Sequence, residues 1–295
     1  LKTGISYSDA VISSSENFAA RYADLPIADE FKSAFRMLGK RFVGIQPALD
    51  ENRWNPVNDD YIQQSFDTTT FALKERNKAA LQKRFNLPET TEPITITVFD
   101  EITEFRDNDE LIQNVVLEDL LQEENCQFIL CCDTLKPGPV LNNLAQNYPQ
   151  QVSICMQPSE QDLHYLVAGS DAAVFSNEKR LTRSLPDACW RYGTVPVLGN
   201  TLENHADIID ATSENLMRNT ANAFMYKNTL VGEMLPSMQR MARYYQRKGP
   251  WWKKLATHIM EQAAKNPQAA IQAAHQYLEY YQYAIDNPAS NPDRK

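Results

Sequence analysis

A group of cations in the second half of the chain is the first candidate for chemistry. Lys179, Arg180 and Arg183 lie in a short segment that reads KRLTRSLPD. Clustered ammonium and guanidinium groups bind phosphate and other anions through charge-assisted hydrogen bonds. The same charges also suit a solvated loop face, because exposed cations gain little from a fixed partner. The sequence therefore leaves two interpretations open: an anion site or a solvated loop.

Histidine and cysteine spacing does not favour a metal centre. The 4 histidines are scattered along the chain, and none belongs to an H-E-x-x-H pattern. The 5 cysteines include no C-x-x-C pair, and most of them lie in apolar, strand-like runs. We therefore expect no metal ion and no cofactor, and cysteines that stay reduced in a cytoplasmic protein.

Composition limits the classes of protein and partner. Hydrophobic residues make up 43% of the 295 residues and charged residues 23%, as in a chain that can bury an ordinary core. A net charge of −9 argues against nucleic acid or an anionic membrane as a partner. No apolar run approaches the ~18 residues that a membrane-spanning helix needs. The chain begins LKTGISYSDA, without an initiator methionine, which suggests a segment of a longer protein.

Strand and helix signals alternate through the middle of the chain. Short apolar runs predict strands at 94–99, 127–132, 152–156, 172–176 and 195–198. Apolar residues at helical spacing predict helices at 109–123, 140–148 and 184–192. Ser159 and Asp162 have the spacing of a capping box, which predicts that a further helix begins after Ser159. Strands that are apolar on both faces and alternate with helices predict an α/β fold with a Rossmann-like, doubly wound parallel sheet of five or six strands.

The two ends of the chain give different signals. From residue 213 onwards the sequence predicts helices only, at 213–226, 231–247, 251–265 and 267–286. The front holds a predicted strand at 9–13 and a predicted helix at 69–85. We expect the last helices to pack beside residues 1–40, because the apolar face of residues 1–22 would otherwise be exposed.

Several collinear segments resemble one enzyme family. They are LKTGISYSDAVISSSENFAARY (1–22), VGIQPALDENRWNP (43–56), KERNKAALQKRFNLP (74–88), LVAGSDAAVFS (166–176) and WRYGTVPV (190–197). Together they are similar to segments of bacterial glycogen synthases and plant starch synthases, which have the two-lobed GT-B fold. The resemblance implies transfer of glucose from ADP-glucose or UDP-glucose to an α-1,4-glucan. It also implies that residues 1–40 end the acceptor-side lobe, that 41–250 form the carboxy-terminal nucleotide-sugar lobe, and that 251–295 form a helical extension.

At the positions that hold the diphosphate and the sugar in this family, the chain has residues of different charge or type. The family's diphosphate-binding arginine falls on Asp100 or Glu101, and its lysine falls on Phe105. An acid beside a diphosphate is repelled by roughly 1–4 kcal/mol per close pair at effective dielectrics of 80 to 20. The family's donor-facing glutamate falls on Arg180, although a local shift of the segment would bring in Glu178.

Two further positions concern the nucleotide. Of the family's Thr-Gly-Gly segment only Thr201 remains, since Leu202 and Glu203 replace the glycines. The aromatic that stacks on the base falls on Pro158. His164 does match the family, and it belongs either to the nucleotide cleft or to an ordinary buried helix face.

These positions lead to one leading hypothesis and two alternatives. The leading hypothesis is a degenerate, non-catalytic lobe that acts as a structural or interaction module. Its expected partners are another protein or an amino-terminal lobe, with only weak binding of a glucan or a nucleotide sugar. The alternatives are an active lobe with a remodelled donor site, or a glucan-binding module. A Lys-x-Gly-Gly loop upstream would favour the active lobe.

Overall fold

A computed structural model describes residues 2–14, 16–22, 29–99, 117–132, 138–175, 184–200, 208–227, 231–247, 250–265 and 269–288. Contacts within the chain divide it into two units. One unit draws its described residues from Leu1–Asp50 and Asn266–Lys295, and the other from Glu51–Thr201 and Ala206–Lys265. In the described part of the chain, every helix is too short or too polar to cross a membrane.

The elements follow the chain as alternating helices and strands. The strands are β1 (Val11–Ser13), β2 (Phe42–Gly44), β3 (Ile94–Phe99), β4 (Cys126–Cys132), β5 (Val152–Met156), β6 (Ala172–Phe175), β7 (Val195–Asn200) and β8 (Phe224–Lys227). The helices are α1 (Lys2–Tyr7), α2 (Glu16–Arg21), α3 (Asp29–Leu38), α4 (Lys74–Arg84), α5 (Pro139–Asn147), α6 (Glu160–Gly169), α7 (Ser184–Arg191), α8 (Ser213–Arg218), α9 (Val231–Gln246), α10 (Pro250–Ala264) and α11 (Ala269–Asp286). Residues 117–123 are also helical.

The larger unit is built on a parallel sheet. Among the described residues six strands form it, in the order β5-β4-β3-β6-β7-β8. Every residue of β3, β4 and β6 is buried, as expected when helices cover both faces of a parallel sheet. The chain moves outwards from β3 through β4 to β5, and then crosses back to place β6 on the other side of β3. The predicted α/β class and the predicted doubly wound sheet are confirmed.

Close contact between α4 and α6 fixes the helices on one side of this sheet. A Cβ atom at Gly169 would lie 2.5 Å from Leu81 Cβ and 2.7 Å from the Asn77 carbonyl oxygen, so only glycine allows this approach. Lys78 Nζ pairs with Asp171 Oδ2 at 2.6 Å, and the same carboxylate oxygen accepts the Thr95 backbone N–H at 2.9 Å. One carboxylate therefore joins α4 to β3 and to the start of β6.

The smaller unit combines the two ends of the chain. Its strands β1 and β2 pair in parallel, with Val11 opposite Phe42. The rings of Phe35 and Phe42 stack at 4.5 Å between centroids. The Tyr280 hydroxyl of α11 donates to the Lys40 carbonyl at 2.7 Å, so α11 lies against the first part of the chain as expected. The helix α10, by contrast, belongs to the larger unit.

The prediction that the chain is wholly helical from residue 213 is wrong. The helix α8 ends at Arg218, and Asn219 adopts a left-handed conformation with φ 55°. The chain then forms β8, which pairs in parallel with β7, with Phe224 opposite Val197. A short apolar run cannot by itself distinguish a helix from an edge strand, and tertiary pairing decides the outcome. The sequence interpretation also missed β2 and the helices α1, α2 and α3.

Candidate functional site

The order in which the chain adds strands to the sheet reverses between β3 and β6, because β4 and β5 lie on one side of β3 and β6 lies on the other. Their last residues, Phe99 and Phe175, place their rings 5.3 Å apart with 15° between the planes. The hydroxyl of Tyr226 in β8 donates to the Phe175 carbonyl at 3.0 Å and fixes this end of β6. Ligands of open α/β sheets bind outside the carboxyl ends of the strands at such a switch point. The candidate site is therefore the edge beyond Phe99 and Phe175.

Most of the site residues predicted from the sequence lie outside the described residues. These are Asp100, Glu101, Phe105, Lys179, Arg180, Arg183 and Thr201. The structure does show from which strands their segments continue. Asp100 directly follows Phe99 of β3, and Thr201 directly follows Asn200 of β7. The cations come shortly after β6, so the three segments follow three adjacent strands of the sheet.

The connection from β5 to α6 contains Pro158, the residue at the position of the family's stacking aromatic. Ser159 caps α6 in the predicted capping box: its hydroxyl accepts the Asp162 N–H at 3.2 Å, and Asp162 Oδ2 accepts the Ser159 N–H at 2.9 Å. Arg84 pairs with Asp162 at 2.6 Å. Burial raises the Asp162 pKa, but the bonds from Ser159 and Arg84 outweigh burial, and the net pKa is lowered. This helix start already carries its own anion, and Pro158 offers neither an N–H nor an aromatic ring.

His164 lies in a buried cluster within α6. Its Nδ1 is 2.7 Å from Asp59 Oδ2, and its side chain is 0% exposed. The Trp54 ring stacks on the imidazole at 3.9 Å with 5° between the planes. The Tyr192 hydroxyl donates to the same Asp59 oxygen at 2.5 Å, and the Tyr61 backbone N–H donates to the other oxygen at 2.9 Å. These contacts support the interpretation of His164 as a buried helix histidine.

The electrostatics of this cluster favour an ionised Asp59. Burial raises the pKa of the Asp59 carboxyl, but the hydrogen bonds from His164 and Tyr192 more than offset burial, and the net pKa is lowered. Burial, followed by the bond to Asp59, raises the pKa of Tyr192 far above its ordinary value. The phenol therefore stays a donor and Asp59 stays an acceptor. Among the described residues, His164 Nε2 has no hydrogen-bond partner.

Sequence reasoning missed Asp59 and the role of Lys74. The Lys74 ammonium is fully buried and donates to the Ala168 carbonyl at 2.7 Å and to Thr194 Oγ1 at 2.9 Å. Burial lowers the pKa of Lys74 to about 7, although the nearby Asp171 opposes the shift. Lys74 stands in a segment that carried the family resemblance, but no spacing rule assigned it a partner. Asp59 gave no signal either, because its partners lie far away in the sequence.

The comparisons with known proteins agree with this geometry. No family model matches the chain. The glycogen synthase of Mannheimia succiniciproducens is 27% identical over 264 residues, which cover 89% of this chain and 55% of that protein. The glycogen synthase of Haemophilus influenzae is 28% identical over 265 residues, with the same coverage of 89% and 55%. This chain is a homologue of the glycogen synthases. The homologue spans about 55% of the length of these curated relatives.

A solved structure supports the fold of this glycogen synthase homologue. The catalytic domain of starch synthase IV from Arabidopsis thaliana, bound to ADP and acarbose, matches it with a TM-score of 0.78 at 20% identity. The match covers 97% of this chain and 57% of that one. At this identity the likeness shows the fold, the α/β arrangement of a GT-B glycosyltransferase. The family resemblance that the sequence segments predicted is confirmed.

Metal binding and the side chains at the switch point can be described for the part of the glycogen synthase homologue that the structure covers. Within these residues no group of three His, Cys, Asp or Glu side chains could hold a metal ion. At the switch point itself, the described side chains at the ends of β3 and β6 are the stacked aromatic rings of Phe99 and Phe175. Chemistry at this edge therefore depends on the segments that follow β3, β6 and β7.

Proposed function

We propose that this glycogen synthase homologue is the carboxy-terminal, nucleotide-sugar-type lobe of a GT-B glycosyltransferase that has lost its donor chemistry. It acts in the cytoplasm as a structural or interaction module. Its partner is another protein or an amino-terminal lobe, and it binds a glucan or a nucleotide sugar only weakly. The proposal separates two sets of residues: those that hold the lobe together and those that would perform the transfer.

The end of β3 carries this proposal. The strand ends at Phe99 on the switch point, and the chain continues directly into Asp100 and Glu101. Two carboxylates thus follow the strand from which the family supplies the diphosphate's cations. Stabilising a leaving diphosphate requires positive groups aimed at the developing charge. Carboxylates at these positions would instead repel the negatively charged diphosphate. At the position of the family's donor-facing glutamate, this chain has Arg180.

Two buried polar clusters hold the lobe together, and neither includes an altered donor position. Asp59 accepts bonds from His164 and Tyr192, and Lys78 pairs with Asp171 at 2.6 Å. Breaking a buried ion pair of this kind costs stability whether or not the protein is an enzyme. These contacts stabilise the lobe without using any of the altered donor positions, which is consistent with a structural role.

One observation favours an alternative, an active lobe with a remodelled donor site. Lys179, Arg180 and Arg183 follow β6, the other strand of the switch point. Cations from this side could neutralise a diphosphate in place of the family's pair after β3. Such a lobe would still need an amino-terminal lobe to hold the acceptor.

A transfer assay separates the two when a purified amino-terminal lobe of the Haemophilus influenzae glycogen synthase is added to the chain, because that lobe can then hold the acceptor. We expect the chain to incorporate no radiolabelled glucose from ADP-glucose or UDP-glucose into glycogen above a heat-killed control. The Haemophilus influenzae glycogen synthase serves as the positive control. Incorporation by this chain that disappears in the double variant Lys179→Ala, Arg183→Ala would overturn the proposal and establish the remodelled site.

A further inference from the structure

Two of the five cysteines lie directly opposite each other in the larger sheet. Cys131 of β4 and Cys155 of β5 are paired in the register of these parallel strands. Paired residues of adjacent strands point to the same face of a sheet, so both side chains lie on one face. Cys132 lies one position further along β4, opposite Met156, and therefore points to the other face. The register thus selects one pair of thiols from the cysteines of these two strands.

The separation of the two strands suits a disulfide between this pair. Neighbouring strands lie roughly 4.7–4.9 Å apart, and disulfides join residues whose Cα atoms are roughly 4.4–6.8 Å apart. The thiols of Cys131 and Cys155 are also in hydrogen-bond contact with each other. Both cysteines are free and buried. The two sulfur atoms can therefore be joined with little movement of either strand.

The two thiols differ in how readily they lose a proton. The hydrogen bond from the Cys131 thiol lowers the pKa of Cys155, and the charge of Arg84 adds to this effect, while burial opposes it. Burial, followed by the same hydrogen bond, raises the pKa of Cys131 well above its ordinary value. Oxidants attack the thiolate rather than the thiol. Cys155 is therefore the first of the pair to react, and Cys131 is the thiol that follows.

The position of the pair in the sheet gives a small oxidant access to it. Among the described strands β5 forms one edge of the sheet, whereas β4 lies between β5 and β3. Ser153 and Ile154, which precede Cys155, are half-buried, and Met156, which follows it, is 48% exposed. The thiols themselves are only 5% exposed at Cys155 and 3% at Cys131. These exposures suit a small, uncharged oxidant such as hydrogen peroxide better than a bulky disulfide.

We propose that Cys131 and Cys155 form a reversible disulfide that ties the edge strand β5 to β4 when the protein meets a peroxide. The Cys155 thiolate attacks one peroxide oxygen, the O–O bond breaks, and Cys155 becomes a sulfenic acid while hydroxide leaves. The hydroxide takes up the proton that Cys155 had lost. Cys131 then attacks the Cys155 sulfur and gives its own proton to the sulfenic oxygen, which leaves as water. The cysteine pair loses two electrons to the peroxide, and a dithiol reductant returns them.

The disulfide acts at the end of β5, directly before the connection to α6. Gln157, the next residue after β5, donates its backbone N–H to the Cys132 carbonyl at 2.7 Å and so continues the contact with β4. A covalent bond beside this contact keeps β5 on the sheet during local opening, because the two strands can then separate only over the residues away from the bond. None of these residues belongs to the donor positions after β3, β6 or β7. Oxidation therefore succeeds or fails independently of glucose transfer and of ADP binding.

Treatment of the native chain with hydrogen peroxide, followed by peptide mapping after chymotrypsin, tests the proposal. We expect the wild type to lose two of its five thiols, to show a cross-link between the peptides of Cys131 and Cys155, and to regain both thiols with dithiothreitol. Cys131→Ala should stop at a sulfenic acid on Cys155, which dimedone traps. The matched control is Cys132→Ala, which should cross-link like the wild type because Cys132 points to the other face of the sheet.

Hydrogen exchange measures the effect of the bond on the edge strand. We expect peroxide to slow exchange of the β5 backbone amides by about tenfold in the wild type and to leave it unchanged in Cys155→Ala. The proposal is overturned if the native wild type keeps all its thiols, if the cross-link joins another pair, if Cys132→Ala loses it, if Cys131→Ala gives no dimedone adduct on Cys155, or if exchange in β5 does not change. The wild-type peptide map decides the pairing by itself, so the test stands even where circular dichroism shows that a variant is unfolded.

Discussion

The carboxylate of Asp59 and the imidazole of His164 lie 2.7 Å apart, although 105 positions separate them in the chain. Asp59 stands in the irregular segment before α4, and His164 stands in the middle of α6. Tyr192, just after α7, donates to the same carboxylate. One buried acid thus ties three distant parts of the larger unit together.

Replacing this acid should cost stability. We expect Asp59→Asn to lower the free energy of unfolding by about 3 kcal/mol, because buried His164 and Tyr192 lose a charged acceptor. The measurement is urea-induced unfolding at pH 7. The neighbouring, exposed Asp60 gives the matched control, and Asp60→Asn should leave the free energy within about 0.5 kcal/mol of the wild type. Equal losses in the two variants would contradict the role of the cluster.

The same pair predicts a pH dependence. The Asp59 pKa in the folded protein is lowered from its ordinary value of 3.8, so its contribution is present above that value. It is lost as the pH falls through the lowered pKa, because folding then no longer favours the ionised form. The difference in unfolding free energy between the wild type and Asp59→Asn should therefore shrink below about pH 4. A difference that stays constant down to pH 3 would rule this linkage out.

Lys74 predicts a second pH dependence of the unfolding free energy, this time from a buried cation rather than from a buried acid. Its pKa is about 7 in the folded protein against an ordinary value of 10.5, so the unfolded chain binds more protons between these values. The unfolding free energy should therefore gain up to about 1.4 kcal/mol per pH unit as the pH rises above 7. Lys74→Met should lack this gain, whereas Lys83→Met, on the exposed side of α4, should keep it. The test is to measure the unfolding free energy from pH 7 to 8.5. The prediction is contradicted if it rises equally with pH in the wild type, Lys74→Met and Lys83→Met.

Gly193 should tolerate no side chain. Its φ is +66°, and a Cβ there would lie 2.8 Å from Phe71 Cε2 and 2.9 Å from Met260 Sδ. Gly193→Ala therefore combines left-handed strain with a clash and should cost about 3 kcal/mol. Gly39 has a similar φ of +54° but nothing within 4 Å of the same atom, so Gly39→Ala isolates the strain at about 1 kcal/mol. The measurement is the unfolding free energy of both variants from chemical denaturation. Equal losses in the two variants would show that the clash at Gly193 is absent.

The central strands of the sheet could be predicted because they are buried on both faces. The run at 94–99 coincides with β3, since apolar character alone defines such a strand. The run at 152–156 coincides with β5, although only Val152 and Cys155 of that strand are buried. The strand β8 could not be predicted in this way, because its apolar residues also fit helical spacing and only its pairing with β7 decides. The short β2 depends likewise on its neighbour β1, so no local signal marks it.

The candidate site was predictable in part. Topology places the switch point at β3 and β6, as an α/β sheet requires, and the capping box of Ser159 and Asp162 forms as its spacing indicated. The cluster around Asp59 carries no sequence signal, because hydrogen bonds between distant segments leave no periodic pattern. The donor positions Asp100, Phe105 and Arg180 stay predictions, since they follow the strands in segments outside the described residues.

Restoring charge alone should not restore the donor site. We expect the triple variant Asp100→Arg, Phe105→Lys, Arg180→Glu to show no transfer of glucose and no binding of ADP at about 100 μM. The variant returns the charges, but Leu202 and Glu203 still replace the glycines and Pro158 still replaces the aromatic. Micromolar binding of ADP by the triple variant would contradict this prediction and show that the changed charges alone account for the loss of the donor site.

Titration calorimetry of the wild-type chain with ADP tests the loss of the donor site most directly. Each charge-assisted phosphate contact contributes roughly 1.5–3 kcal/mol, so losing two of them moves a micromolar site towards millimolar. We expect no heat of binding with ADP at about 100 μM, while the Haemophilus influenzae glycogen synthase binds under the same conditions. A micromolar dissociation constant for this chain, abolished by Lys179→Ala with Arg183→Ala, would contradict the account and assign a rebuilt donor site to the cations after β6.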